Sequence, residues 1–72
     1  MRFRLEIAID CDDLGRRVTV RRRLESTGFG DVIGILESCD EQTFGIRDRA
    51  GRLHTIARDN VVAAKVVVPP ER

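Results

Sequence analysis

From Phe3 to Ile9 every second residue is apolar, with Phe3, Leu5, Ile7 and Ile9 separated by Arg4, Glu6 and Ala8. A period of two stacks these groups on one face of a strand and would scatter them around a helix, so residues 3–9 are expected to be extended. Asp10-Cys11-Asp12-Asp13-Leu14-Gly15 ends that strand, because short acidic side chains bond their own backbone and glycine tolerates positive φ. Alternation resumes at Arg17, with Val18, Val20 and Leu24 on one side and Arg17, Thr19, Arg21 and Arg23 on the other. This predicts a second strand with a basic outer face. Glu25 to Gly30 reads as a loop. Val32, Ile33, Ile35 and Leu36 then place apolar groups on both sides of Gly34, which predicts a strand that is either buried on both faces or sharply bent at the glycine.

Asp40 and Glu41 turn the chain, and Phe44 and Ile46 alternate with Thr43, Gly45 and Arg47, making Phe44 the expected centre of the core. Asp48 to Gly51 has the composition of a hairpin loop, and Arg52 to Ala57 should return antiparallel. Arg58, Asp59 and Asn60 are too few for an α-helix and too polar for a strand, so a single 3₁₀ turn is expected before a last strand from Val61 to Val68. Proline cannot donate to a strand ladder, so Pro69 and Pro70 should leave the sheet as the start of a proline-rich linker. The chain therefore divides into an N-terminal strand and acidic turn (1–13), a five-stranded β-barrel (14–68) and the linker start (69–72).

With 72 residues there is room for a thin core and little room for an enclosed catalytic cavity. Apolar residues form 42% of the chain, charged residues 35%, and the formal net charge is +1, values of a folded domain whose overall charge does not demand a polyanion. No apolar run reaches signal-peptide or membrane-spanning length, so a cytosolic location is expected. Cys11 and Cys39 have neither metal-ligand spacing nor the density of a disulfide scaffold, and are expected to be reduced thiols, with a single disulfide between them as the alternative.

Candidate chemistry is sparse. A calcium loop starting at Asp10 would have Leu14 at its fifth place and Arg21 at its twelfth, which excludes it. His54, the single histidine, has no second histidine or suitably spaced cysteine with which to hold zinc, and reads as a surface strand residue. Ser26 and Ser38 lack a local base and oxyanion donors. Glu25-Ser26-Thr27-Gly28-Phe29-Gly30 has the glycine spacing of an acetyl-CoA pyrophosphate loop, but it opens on an anion and is followed by a strand where a helix is needed. No catalytic, cofactor-binding or metal-binding residue is therefore assigned.

One basic concentration remains, Arg16, Arg17, Arg21, Arg22 and Arg23, which Arg2 and Arg4 could join, and arginine forks suit phosphate oxygens. With no Tyr or Trp and only Phe3, Phe29 and Phe44, platforms for stacking single-stranded bases are scarce. The same scarcity disfavours a proline-peptide groove or a methyl-lysine cage.

Three segments carry a resemblance: Leu14-Gly15-Arg16-Arg17-Val18-Thr19-Val20-Arg21-Arg22-Arg23-Leu24, then Asp31-Val32-Ile33-Gly34-Ile35-Leu36, and Arg58-Asp59-Asn60-Val61-Val62-Ala63-Ala64-Lys65. Together the chain resembles the N-terminal SH3-like domain of actinobacterial GNAT-superfamily N-acetyltransferases, some of them labelled histone acetyltransferases. The resemblance covers Leu14 to Pro70. It implies an all-β, SH3-like barrel, acetyl-CoA as the cofactor of a neighbouring catalytic domain, and a cytosolic location. The Phe3–Ile9 strand lies outside it, as an added edge strand or a pairing surface for a second copy. The function expected is that of a non-catalytic accessory domain positioning the catalytic domain or its protein substrate. The alternatives are a free-standing RNA- or ribosome-associated barrel using the arginine face, and a homo-oligomeric structural module.

Overall fold

The computed structural model describes residues 6–24 and 28–67. Six strands form one sheet in the order β1-β6-β2-β3-β4-β5. They are β1 (Glu6–Ile7), β2 (Arg17–Leu24), β3 (Gly28–Cys39), β4 (Thr43–Asp48), β5 (Leu53–Ala57) and β6 (Val61–Val66). All neighbours pair antiparallel except β1, which runs parallel to β6 with Glu6 opposite Ala63. There is no α-helix among the described residues. A lone sheet can bury an apolar face only by curling around it, and it does so here. Val18, Val20, Val32, Leu36, Phe44, Ile46, Ile56, Val61 and Ala64 join Ile9 in a single core. Phe44 is the largest fully buried side chain.

The alternation on β2 and β4 is realised as expected, with Val18 and Val20 inward, and Phe44 and Ile46 inward. β1 is a short edge strand of two residues; Ala8 and Ile9, expected to continue it, are not strand, and Phe3 and Leu5 lie outside the described residues. The acidic turn winds into a 3₁₀ turn, Cys11–Asp13, capped by the Asp10 carboxylate accepting from the Asp12 N–H, and Gly15 has a φ of +89°. The second 3₁₀ turn, Arg58–Asn60, stands before the last strand as expected.

Two expectations change and one open alternative is decided. Gly28, Phe29 and Gly30 are already strand rather than loop, which makes β3 twelve residues long; Glu25 to Thr27 lie outside the described residues. β3 is not buried on both faces. Val32, Gly34 and Leu36 face inward while Ile33 is exposed, and a Cβ at Gly34 would collide with the Arg47 carbonyl oxygen of β4. The glycine is thus required for close approach of two backbones. Third, Cys11 and Cys39 are joined as a disulfide across a sequence separation of 28. A one-residue irregularity between Leu36 and Ser38 sets this up, placing Ser38 opposite Gly45 and Cys39 opposite Phe44. A bulge of this kind reverses which side each following residue faces, so Cys39 packs against the core where strict alternation from Leu36 would have turned it out.

Candidate functional site

The outer face of β2 and β3 is built from cross-strand pairs: Arg17 opposite Ile35, Thr19 opposite Ile33, Arg21 opposite Asp31, and Arg23 opposite Phe29. Because β2 alternates, the five arginines singled out in the sequence do not form one patch. Arg17, Arg21 and Arg23 share the outer face. Arg22 falls on the opposite side, half-buried between Gly30 and Val61, with its Nε lacking a hydrogen-bond partner. Arg16 precedes the strand and lies 3.8 Å from the Asp13 carboxylate.

The outer cations also differ in how far they are already neutralised. Arg21 donates to both carboxylate oxygens of Asp31, at 3.0 and 3.4 Å. That hydrogen bonding holds the Asp31 carboxyl below its ordinary range and raises the guanidinium above its own. Arg47 does the same with Glu37 at 2.9 and 3.1 Å, depressing that carboxyl, and its Nη1 reaches the Gly51 carbonyl. By contrast Arg17, Arg23, Arg49 and Lys65 have no ion-pair partner among the described residues.

Between these groups lie two shallow hollows. One, of about 460 Å³, is walled by Arg17, Ile33, Ile35, Arg47 and Arg49. The other, of about 400 Å³, is walled by Thr19, Arg21, Asp31, Ala63 and Lys65. Ile33 is 53% exposed and Phe29 59% exposed, so apolar and cationic groups are interleaved on this face. Arg47 of β4, Arg49 of the following turn and Lys65 of β6 lie too far along the chain from the arginine run to be grouped with it by sequence proximity. The pairing order supplies the missing signal: β6 and β3 flank β2, and β4 flanks β3.

His54 is half-buried rather than openly exposed, with Nε2 2.8 Å from Asp48 Oδ2. The same carboxylate accepts the Ala50 and Arg52 N–H groups, so His54 fastens the hairpin turn, and these bonds hold the Asp48 carboxyl below its ordinary range. Ser38 sits on the bulge over Gly45; Ser26 lies outside the described residues. Among the described residues no group of three or more His, Cys, Asp or Glu side chains is placed to hold a metal ion. What the arrangement can do is bind. The sheet presents guanidinium and ammonium groups beside apolar contact area.

No curated protein and no solved structure matches the chain. A family model does: the Rv0428c N-terminal Sm-like domain, over residues 12–65. That span runs from the first 3₁₀ turn into β6 and contains the whole outer face just described. It fits a small all-β fold of antiparallel strands with a 3₁₀ turn before the last. The chain belongs to the family of the Rv0428c N-terminal Sm-like domain.

Proposed function

We propose that this domain is a non-catalytic accessory module that docks an acidic protein surface through the outer face of β2, β3 and β4, and that it serves a GNAT-type N-acetyltransferase domain following it in the same polypeptide. The carrying observation is the set of cations, Arg17, Arg23, Arg49 and Lys65, without carboxylate partners among the described residues and interleaved with exposed Ile33 and Phe29. Desolvated apolar anchors inside a ring of charge are how interfaces gain affinity and orientation together. The N-terminal position named in the family description supports an accessory role. The resemblance of Leu14–Leu24, Asp31–Leu36 and Arg58–Lys65 to acetyltransferase N-terminal domains supports the identity of the neighbour. On this reading acetyl-CoA belongs to the neighbour, and the protein is cytosolic.

Two observations test it. The coding sequence beyond Arg72 should encode an acetyl-CoA-binding domain, and a stop codon there removes the acetyltransferase part of the proposal. With the two domains made separately, Arg17→Glu combined with Arg49→Glu should weaken their association about tenfold or more by slowing encounter and adding repulsion. Unchanged affinity removes the docking face.

Phe29 favours a second reading, an RNA-associated role, since an exposed ring opposite Arg23 is a stacking platform beside a phosphate-binding cation. Four phosphate contacts to single-stranded RNA would give a log–log salt slope of about −3. Absence of binding to a mixed-sequence oligoribonucleotide at low salt dismisses it.

A further inference from the structure

Arg58 lies in the second 3₁₀ turn, far along the chain from both cysteines, yet its Nη2 is 3.2 Å from Cys39 Sγ and 3.7 Å from Cys11 Sγ. The guanidinium is fixed there independently of the sulfurs. Its Nε donates to the Asp40 carbonyl at 2.8 Å, and its Cζ lies 4.4 Å from the Phe44 ring centroid. The two sulfurs are not equivalent. Cys11 is exposed on the rim, whereas Cys39 is half-buried and packs against the core.

We propose that Cys11–Cys39 is an exchangeable disulfide with a fixed direction of attack, in which an incoming thiolate bonds to Cys11 Sγ and Cys39 leaves as a thiolate received by Arg58. Exposure decides which sulfur can be reached, and attack requires access. The nearer cation decides which sulfur is the better leaving group. A guanidinium stays charged across the physiological range, and a neighbouring cation stabilises a thiolate and speeds its departure.

With a dithiol as reductant the step balances. One thiolate of the dithiol forms an S–S bond to Cys11, the Cys11–Cys39 bond breaks, and its electron pair goes to Cys39. The second thiolate then attacks the dithiol's own sulfur, closing a cyclic disulfide and expelling Cys11 as a thiolate that takes a proton from water. Two electrons pass from the dithiol to the protein. The opened link is the one that ties the first 3₁₀ turn to the end of β3. Intracellular disulfides in mesophiles are chiefly transient or sensing ones. An exchangeable pair therefore also reconciles this bond with the cytosolic location proposed above, on which the exchange chemistry itself does not depend.

The test uses the disulfide-bonded chain with glutathione as the thiol. Products are trapped with an alkylating agent at low pH and mapped by mass spectrometry. Glutathione is expected on Cys11, with Cys39 alkylated, in about tenfold or greater excess over the reverse; equal labelling, or glutathione on Cys39, overturns the proposal. In the same mixed disulfide, the alkylation rate of Cys39 against pH should have its midpoint below the ordinary thiol value of about 8.5. A midpoint at or above that value also overturns it. Arg58→Gln should move the midpoint up and Arg58→Lys should restore it, separating the charge of this positioning residue from its packing.

Discussion

The Arg58 guanidinium lies over the face of the Phe44 ring, its Cζ 4.4 Å from the centroid, so the most buried aromatic side chain of the core is capped by a cation. Arg58 also donates to the Asp40 carbonyl, and its own N–H donates to the Gln42 carbonyl, which holds the second 3₁₀ turn against the β3–β4 connection. Arg58→Ala should destabilise the fold by about 1–2 kcal/mol, through the lost cation–π contact and the lost packing of the arginine stem. Urea unfolding checks this. A lower midpoint with an unchanged slope is expected, and a midpoint identical to wild type contradicts the role of Arg58.

Two glycines separate backbone from side-chain crowding. A Cβ at Gly34 meets the Arg47 backbone, which cannot move without breaking the β3–β4 ladder, whereas a Cβ at Gly45 meets the Ser38 hydroxyl, which can rotate away. Gly34→Ala should cost about 2–4 kcal/mol and Gly45→Ala distinctly less. Combining Gly45→Ala with Ser38→Ala should recover most of the smaller loss. Equal costs for the two single variants would refute the distinction.

Removing the disulfide should be a large perturbation for a chain of this size. Closing a loop of 28 residues corresponds to about 3–4 kcal/mol in the chain-entropy treatment, against a total stability of about 4–11 kcal/mol for a domain this long. Replacing both cysteines by serine should therefore lower the thermal midpoint by more than 10 °C, at about 4–8 °C per kcal/mol. A shift of only a degree or two would mean that the unfolded chain is already compact around this link.

Acid sensitivity follows from the turn carboxylates. Asp40 accepts the Gln42 and Thr43 N–H groups, and Asp48 accepts the His54 ring nitrogen and the Arg52 and Ala50 N–H groups; both carboxyls are held below their ordinary value of 3.8. The unfolded carboxylates then bind protons more readily than the folded ones, so stability rises with pH across this window. Their contribution is fully present above the unfolded value and is lost as pH falls through the depressed folded values. Thermal midpoints should be flat with respect to these two groups from about pH 5 to 7 and fall below about pH 4. Asp40→Asn and Asp48→Asn together should flatten that fall; an unaltered acid limb would place its origin elsewhere.

Much of the fold was legible because its signals are local. The alternation of Val18 with Val20 and of Phe44 with Ile46 survives in the structure, as do the Asp48–Gly51 hairpin and the turn at Arg58–Asn60. What was not legible depends on register. The bulge after Leu36 cannot be read from Glu37-Ser38-Cys39, yet it aims Cys39 at Cys11, and a second irregularity between Arg21 and Arg22 absorbs Val62, so that Val61 and Ala64 both reach the core. The arginine run was visible as composition, but strand geometry divides it between two faces and strand order adds Lys65 from β6 and Arg49 from the β4–β5 turn. Neither effect leaves a trace in local sequence.

The parallel pairing of β1 with β6 has a kinetic consequence. Glu6 meets Ala63 only after nearly the entire intervening chain has been brought together, and closure entropy makes such contacts late to form. With only two residues in β1, this edge should also be the first to open, giving faster amide exchange for Ala8, which donates to the Ala64 carbonyl, than for the β2–β3 ladder. The Cys11–Cys39 link shortens the effective loop that β1 must close, so its redox state would set how quickly this last strand docks.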